Sequence, residues 1–399
     1  MRTTRRGALI GGWWLLAGRA FGLQFRSFRR PKVKPVTAYT VLIGTDTSKG
    51  GKGIYRARFE SVTGQLSELG VAAETVQPSY LALGPAGARR MLYAVNEAAD
   101  ASAAVSTFQV DPRTGELREV GKVSAGVPGP CYVSIDATGH AVFTANYSGG
   151  GVSSYRVQGD GTLAGPVEQV NFHDARFGAD GPVKDRQDGP HPHSATISPD
   201  NRFLVVNDLG HDTIVSFAID ADGARMSGEP SVFHTEAGAG PRHVVFHPNG
   251  RWLYGVNELS STVNHYLWTA THGATPQALL VRAGEPVRTT DAGFTGKNTA
   301  AEVAVSPNGA FLYVSNRGEN SLVVFAIAPG DGSLKVVQRI SCGGATPRQF
   351  TLDPTGRWLL CGNQGSDSVT VFRRDVGSGR LEGPVQTLAV PAPYFVLLA

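Results

Sequence analysis

The chain has 399 residues, which exceeds the size at which a single hydrophobic core keeps growing, so it holds either two domains or one domain built from repeats. Its 50 glycines and 24 prolines, together with only 18% charged residues, favour an all-β protein with many turns over a helical one. The net charge of +4 is small and partly N-terminal, and it therefore does not indicate nucleic-acid binding.

The N-terminal stretch "MRTTRRGALIGGWWLLAGRAFG" has a basic start followed by an apolar run that is too short to span a bilayer. This pattern predicts a secretory signal, and Thr4-Arg5-Arg6 resembles a twin-arginine signal. A basic linker, "RSFRRPKVKPV", follows. We therefore predict a signal and linker over residues 1–36 and one domain over residues 37–399. The predicted location is periplasmic or secreted, or cytoplasmic if the signal is not used. The alternative to a cleaved signal is an uncleaved N-terminal anchor.

The three cysteines are Cys131, Cys342 and Cys361, and their spacing matches neither a disulfide framework nor a metal site. Cys342 and Cys361 could pair after export, but small buried hydrophobic residues are the favoured interpretation. No later stretch is long and apolar enough to span a membrane, so none is expected once the signal is removed.

One phrase recurs along the chain every 47 to 61 residues: an apolar strand, a turn such as Pro-x-Gly, and a second strand that ends in Asn. Two examples are "RHVVFHPNGRWLYGVN" and "AEVAVSPNGAFLYVSN". Pro, Gly and Asn favour a tight turn, and the period is typical of propeller blades. The six copies end at Asn96, Asn146, Asn207, Asn257, Asn316 and Asn363.

Each copy continues into a third strand, such as "SLVVFAI", and a weaker fourth, such as "GSLKVVQRISC". Four antiparallel strands make a propeller blade. "AYTVLIGTDT", "GIYRARFE" and "GQLSELGVA" lack a first strand, which the C-terminal "PAPYFVLLA" can supply. The sequence therefore predicts a seven-bladed β-propeller whose ring is closed by both termini in one blade. A pair of β-sandwiches is the alternative fold.

Polar residues recur at the entrance of the first strands, which line the channel of a propeller. We expect them to meet at one mouth, together with the residues that follow each repeated Asn. The first set contains Pro78, Ser79, Pro130, Cys131, His191, His193, Arg242, His243, Glu302 and Arg348. The second contains Glu97, Tyr147, Asp208, Glu258, Arg317 and Gln364. Convergent titratable groups in a concave pocket are the usual mark of a functional site.

Several stretches resemble the seven-bladed lactonase family, also called the cycloisomerase 2 family, over roughly residues 38–399. They include "KDRQDGPHPHSATISPD", "GAGPRHVVFHPNGRWLYGVNELSSTV" and "AEVAVSPNGAFLYVSNRGENSLVVF". The resemblance implies 6-phosphogluconolactonase-like hydrolysis of a lactone, with the catalytic groups on His193, Arg242, Glu258 and Arg317. Pro192 departs from the family pattern, and the export signal argues against a phosphorylated sugar substrate.

Opening a lactone needs a base for water, a stabiliser for the oxyanion and an acid for the leaving alkoxide. His193 is the expected base or proton shuttle, because its ordinary pKa lies near working pH, and Glu258 would orient it or activate water itself. Arg242 and Arg317 suit an oxyanion or an anionic substrate group. The further candidates for binding substrate are His191, His243, Arg348, Arg186, Gln187 and Glu302.

The expected partner is a small-molecule lactone or carboxylate, with no metal, organic cofactor or nucleic acid; the oligomeric state stays open. "HPH" supplies two histidines without a third ligand at metal spacing. Two alternatives remain: a muconate-type cycloisomerase that forms a lactone, and a non-catalytic extracytoplasmic propeller that binds a partner. A calcium-dependent lactonase is less favoured, because the predicted axis is rich in Arg and His rather than oxygen ligands.

Overall fold

The computed structural model describes residues 38–87, 90–271, 273 and 276–399. The predicted signal and linker, residues 1–36, lie outside these residues. Within the described part, no helix is long and apolar enough to cross a membrane.

The strands are short, as expected for blades. In chain order they begin with β1 (Ala38–Thr45), β2 (Gly53–Glu60), β3 (Gln65–Glu74), β4 (Leu81–Leu83), β5 (Arg90–Asn96), β6 (Ala104–Val110), β7 (Leu117–Ser124), β8 (Pro130–Ile135), β9 (Ala141–Asn146), β10 (Gly151–Val157) and β11 (Leu163–Asn171). They continue with β12 (Pro192–Ile197), β13 (Phe203–Asp208), β14 (Thr213–Asp220), β15 (Arg225–His234), β16 (Pro241–Phe246), β17 (Trp252–Asn257), β18 (Thr262–Ala270), β19 (Ala278–Arg282) and β20 (Val287–Arg288). The last are β21 (Thr299–Val305), β22 (Phe311–Arg317), β23 (Ser321–Ile327), β24 (Leu334–Ser341), β25 (Pro347–Leu352), β26 (Trp358–Asn363), β27 (Ser368–Arg374), β28 (Leu381–Ala389) and β29 (Pro393–Leu398). Short 3-10 turns cover Thr47–Lys49, Ala175–Phe177 and Gln364–Ser366.

Across the described residues these strands form seven antiparallel sheets, and we number the blades by the position of their first strand. Blade 1 contains β4–β7, blade 2 β8–β11, blade 3 β12–β15, blade 4 β16–β19, blade 5 β21–β24 and blade 6 β25–β28. Blade 7 has the order β29-β1-β2-β3. The predicted propeller is thus confirmed and the sandwich alternative is wrong. Blade 4 differs from the prediction because β20 also pairs with β18.

Both termini close the ring, as predicted. β29 pairs antiparallel with β1, so that Leu42 lies opposite Leu397 and Ile43 lies opposite Val396. The C-terminal strand therefore occupies the channel-side position that the N-terminal strands leave open, and it completes blade 7 as a four-stranded sheet.

The apolar core is divided into seven clusters, one between each pair of neighbouring blades. Leu42 and Phe395 of blade 7 pack with Leu92 of blade 1, for example, and fill the junction that closes the ring. Each such buried side chain contributes about 1.5–3 kcal/mol relative to exposure. Cys131, Cys342 and Cys361 are free and buried, in agreement with the favoured interpretation.

The repeated Asn at the end of each second strand is buried, and in every copy except Asn207 its side-chain amide makes hydrogen bonds inside the protein. Asn146 Nδ2 donates to Ser153 Oγ of β10 at 3.1 Å, and Asn363 Nδ2 donates to Thr370 Oγ1 of β27 at 3.0 Å. The amide satisfies polar atoms inside the sheet at the point where the chain reaches the mouth. The residue that follows each Asn is therefore delivered to one end of the channel.

Candidate active site

A β-bulge near the start of the first strand directs one side chain in most blades. In blade 3, Pro192 pairs with Asp208 and Ser194 with Asn207, which leaves His193 as the extra residue. In blade 4, Pro241 and His243 are paired and Arg242 is the extra residue. Proline has no N–H to donate and is suited to a strand start, and a bulge re-aims the side chain beside it. Corresponding register shifts occur in blades 2, 5, 6 and 7.

The four residues predicted to be catalytic come together around the carboxylate of Glu258, which is 2% exposed. Its Oε2 lies 2.7 Å from Arg317 Nη2, 3.0 Å from Arg242 Nε and 3.9 Å from His193 Nε2. Arg317 ends β22 of blade 5, so that the cluster joins blades 3, 4 and 5. The repeat register predicted this meeting.

Backbone carbonyls of β21 hold the two inner arginines. Arg242 Nη1 donates to Ala301 O at 2.6 Å, and Arg317 Nη2 donates to Ala300 O at 3.3 Å. Each guanidinium is therefore held between a carbonyl and the Glu258 carboxylate, and its orientation is fixed before any substrate binds.

The electrostatics of the cluster follow from burial and from the excess of positive charge. Burial alone would raise the pKa of Glu258, but Arg317, Arg242, His193 and Arg186 together hold that pKa well below its usual range. Burial and the nearby Arg317 lower the pKa of Arg242 to about 10, although Glu258 opposes this shift. Glu258 is therefore ionised at any working pH, and the site retains excess positive charge.

His193 is 6% exposed, and its ring lies between Glu258 and a buried thiol. Its Nδ1 is 4.0 Å from Cys131 Sγ. Burial and the charges of Arg242 and His243 lower its pKa well below the ordinary value, and Glu258 offsets only part of this shift. His193 is therefore a neutral imidazole at neutral pH, whereas the sequence supplied only its reference value.

A third arginine reaches the same carboxylate from a loop outside the repeat. Arg186 Nη2 donates to Glu258 Oε1 at 2.6 Å and to Tyr147 Oη at 3.3 Å. Burial disfavours the charged form of Arg186, but Glu258 and Tyr147 outweigh this effect and raise its pKa. Tyr147 belongs to the set predicted to meet at this mouth, because it directly follows Asn146, but it was not among the predicted catalytic or substrate-binding residues.

Two further predicted residues of this loop make contacts within the protein. The His191 ring stacks on Tyr147 at 4.3 Å, with Nδ1 3.0 Å from Tyr147 O and Nε2 3.0 Å from Asp188 Oδ1. Gln187 is fully buried, and its Nε2 donates to Leu209 O at 2.9 Å. Both residues hold the loop in place beside Glu258.

Below the cluster, the channel narrows to a cavity of about 10 Å³, close to the minimum for one water molecule. His243 Nδ1 and Glu302 Oε1 lie 3.3 Å apart in its wall. The rings of Tyr80 and Phe395 lie 4.0 Å apart and narrow the channel further. His243 and Glu302 thus lie deeper in the channel than the Glu258 cluster.

Arg348 lines the same cavity, and its guanidinium packs on an aromatic ring. Its Cζ lies 4.6 Å over the ring of Tyr394, whose hydroxyl donates to Asp46 Oδ2 at 2.8 Å. No carboxylate of the described residues lies within 4.0 Å of its nitrogens. The aromatic ring fixes this cation while leaving its N–H groups available to a ligand.

The mouth has the chemistry for acyl transfer to water: a neutral imidazole, a carboxylate beside it and fixed cations around both. Within the described ranges, no three His, Cys, Asp or Glu side chains are grouped so that they could hold a metal ion.

Comparison with known proteins agrees with this geometry. Residues 40–398 match the family described as lactonase, 7-bladed β-propeller. The chain is 34% identical over 361 residues to the 6-phosphogluconolactonase of Bacillus subtilis (strain 168), which covers 90% of this chain and 98% of that protein.

Solved structures extend the comparison. The periplasmic gluconolactonase PpgL of Pseudomonas aeruginosa matches with a TM-score of 0.81 at 32% identity, covering 90% of this chain and 99% of that one. A Lactobacillus plantarum protein has the same TM-score at 35% identity and covers 91% of this chain and 99% of its own. The chain therefore belongs to the seven-bladed β-propeller lactonase family.

Proposed function

We propose that this lactonase hydrolyses a sugar-acid lactone, in the manner of a 6-phosphogluconolactonase, by general acid and base catalysis at the channel mouth. The observation that supports this most is the convergence of His193, Arg242 and Arg317 on the buried carboxylate of Glu258. The names of the relatives support the reaction class, and the comparisons favour neither the lactone-forming cycloisomerase nor the non-catalytic module.

In the proposed reaction, neutral His193 accepts a proton from water as the water oxygen attacks the lactone carbonyl. Arg242 and Arg317 stabilise the tetrahedral oxyanion, because their charges are already fixed by protein carbonyls. The intermediate collapses with cleavage of the ring C–O bond, and His193 returns the proton to the leaving alkoxide. Glu258 stabilises the transient imidazolium, and the product is a hydroxy acid.

The low pKa of His193 has opposite effects on the two halves of this cycle: it weakens the imidazole as a base, an effect that the neighbouring Glu258 carboxylate partly offsets, and it strengthens the imidazolium as an acid. A histidine that is neutral at rest is ready to accept the proton, and an imidazolium destabilised by burial and by Arg242 is a strong acid for the alkoxide. Glu258 is too acidic to be the base itself, since three arginines stabilise its ionised form.

Arg348 and Arg186 are the proposed anchors for the substrate, and His191, His243, Gln187 and Glu302 then support the walls. Arg348 is open to the channel, where a carboxylate, phosphate or hydroxyl of the substrate would accept from it. Metal independence is part of the proposal, because the positive charge around Glu258 would oppose binding of a divalent cation.

Export by the twin-arginine-type signal completes the proposal, and the periplasmic location of the Pseudomonas aeruginosa relative supports it. Replacement of Arg5-Arg6 by Lys-Lys should retain a tagged full-length chain in the cytoplasm, and fractionation of the cells would measure this. Equal export of both forms would contradict a twin-arginine route.

The test of function is a lactone panel assayed with and without chelator. Plain gluconolactone, 6-phosphogluconolactone and a muconolactone should be compared by proton release above the spontaneous rate. We expect turnover of a sugar-acid lactone that is unchanged by the chelator. Turnover of the muconolactone alone would favour the cycloisomerase class, and no turnover of any lactone would contradict the proposal.

A further inference from the structure

The segment from Gly181 to His191, which we call the arm, carries Arg186 onto Glu258. The arm contains no regular strand, so its position depends on a few polar contacts. Gln187 supplies two of them: its Nε2 donates to Leu209 O at 2.9 Å, and its Oε1 accepts from Val183 N at 3.0 Å. The arm therefore rests on the turn that follows β13.

A single carboxylate holds both the turn and the end of the arm. Asp208, the last residue of β13, is fully buried, and its Oδ1 accepts from His191 N at 2.6 Å and from Gly210 N at 3.0 Å. His211 N is a third, longer donor at 3.4 Å. Backbone N–H groups on both sides of the contact thus share one oxygen.

Gly210 lets the arm pack directly on the turn. A Cβ at this position would lie 1.8 Å from Gly189 O, so no larger residue fits while the arm is in place. Gly181 N also donates to Gly210 O at 3.0 Å. The backbone of the arm and the backbone of the turn therefore form one closely packed layer, with Asp208 beneath it.

We propose that Asp208 is a positioning residue for the reaction, which acts through the turn and the arm to hold Arg186 on Glu258. This inference rests on the proposed function, because the contact it controls belongs to the proposed catalytic cluster. When this carboxylate loses its charge, the His191 and Gly210 N–H groups have a weaker acceptor, and the approach of Arg186 to Glu258 Oε1 is held less firmly.

The ionisation of Asp208 gives this role a measurable signature. Burial raises its pKa to about 7, although the backbone N–H groups of His191, Gly210 and His211 oppose the shift. The titratable groups that face it are His191 from the arm and His211 from the turn, whose Nδ1 is 3.2 Å from Asp208 Oδ2; Asp180 lies beyond, 3.5 Å from His211 Nε2. Ionised Asp208 is the stronger acceptor, so the arm is held best above about pH 7.

The test compares Asp208→Asn, Arg186→Gln and the double variant on the best lactone of the panel. Each single variant should lower kcat/KM by between about 10- and 100-fold, the range expected when a site group is misplaced. The double variant should be no worse than Arg186→Gln, because both changes remove the same contact. The wild-type profile should lose activity below about pH 7, and this limb should be absent from Asp208→Asn.

Asp353→Asn is the matched control, because Asp353 is an equally buried carboxylate that accepts backbone N–H groups on the opposite face. It should retain wild-type kcat/KM. If Asp208→Asn does not fold, Gln187→Met takes its place in the comparison with Arg186→Gln and the double variant. This change removes the hydrogen bond between the arm and the turn with little change in volume. Additive losses in the double variant, or an unchanged pH limb in Asp208→Asn, would overturn the proposal.

Hydrogen exchange separates this inference from the proposed function, because it needs no substrate. The amides of His191 and Gly210 should exchange faster in Asp208→Asn than in the wild type, while those of β16 stay protected. Unchanged exchange in the arm would overturn the positioning role even if lactone turnover were confirmed. Faster exchange in a protein that turns over no lactone would support the contact and contradict only the function.

Discussion

The two faces of the propeller bury their carboxylates in different ways. On the face opposite the mouth, Asp136 and Asp353 lie in turns between first and second strands, and each accepts backbone N–H groups from residues two to five positions further along. At the mouth, Glu258 is surrounded by ionisable side chains of its own blade, of both neighbouring blades and of the loop that carries Arg186.

This difference separates folding from function. The backbone contacts of Asp136 and Asp353 form within one hairpin, so they can stabilise a blade before the ring closes, although Asp136 Oδ2 also accepts from Asn201 Nδ2 of the next blade at 3.0 Å. The contacts of Glu258 exist only when three blades and a loop meet, and their charges do not balance. Burial of several arginines around one carboxylate is not the arrangement that stability alone favours. The excess of positive charge at the mouth supports the proposed function, in which the transition state carries negative charge.

Among the variants that test this difference between the faces, Glu258→Gln should have the largest effect on stability and turnover. The variant leaves Arg242 and Arg317 buried without their counter-charge, and breaking such a buried pair typically costs about 3–5 kcal/mol of unfolding free energy. Lactone turnover should be lost as well, because both arginines lose their orientation. Denaturant unfolding and initial rates measure the two effects. A variant with wild-type stability and rate would show that the ion pairs of Glu258 contribute neither to stability nor to catalysis.

His193→Ala should affect the rate and spare the fold. A positioned general base contributes about 10²- to 10⁴-fold, so turnover should fall by at least about 10²-fold. The control is His247→Ala on the opposite face, whose ring lies 2.8 Å from Gly309 O and packs on Trp252. That variant should lose stability and keep its rate per folded molecule. Near-wild-type turnover in His193→Ala would remove His193 from the mechanism.

The blade count could be predicted from sequence because the turn chemistry is local. Each Pro-x-Gly phrase and its terminal Asn determine one hairpin, and the unmatched strands at the two ends determine how the ring closes. β20 had no such signal: it pairs with β18 over two residues only, inside a long connection of blade 4. Pairing of that kind depends on the tertiary surroundings and leaves no periodic pattern in the sequence.

The residues of the site could be predicted only as far as the repeat extends. His193, Arg242 and Arg317 occupy repeat positions, so the register brought them to one mouth. Arg186 was only a secondary candidate because it lies in a loop, where no period indicates its contact with Glu258. The repeat did not predict the burial of Gln187 either, because that burial depends on a hydrogen bond to the carbonyl of Leu209.

Arg348→Gln should change the preference of the mouth for anionic over neutral lactones. We expect kcat/KM for an anionic lactone to fall about tenfold or more, and that for a neutral lactone to fall less, because a charge-assisted hydrogen bond is worth about 1.5–3 kcal/mol. The matched control is Arg373→Gln, whose guanidinium lies 5.6 Å over Trp358, away from the mouth. That control should change neither rate. Equal losses on both lactones would mean that Arg348 does not recognise substrate charge.

Acidification should produce the smallest effect, a decrease in stability that arises from His243 at the mouth. Burial and the charge of Arg242 lower the pKa of His243 to about 4, although Glu302 opposes the shift. The unfolded chain takes up a proton on this histidine near its ordinary pKa of about 6.5, whereas the folded protein does so only near 4. Through this histidine, unfolded molecules therefore bind more protons than folded ones between these values, and the contribution of His243 to stability decreases as the pH falls from about 6.5 towards 4.

His243→Gln removes this histidine while keeping a polar side chain beside Glu302, so its melting temperature should fall less over the same pH interval. His140→Gln is the control, because that histidine is more than half exposed beside Asp222 on the opposite face. Thermal unfolding at pH 6.5, 5.5 and 4.5 measures the difference. Parallel curves for His243→Gln and the wild type would mean that the folded protein protonates His243 as readily as the unfolded chain does. The cations of the mouth would then not keep His243 neutral, and the difference between the two faces would be limited to the residues around Glu258.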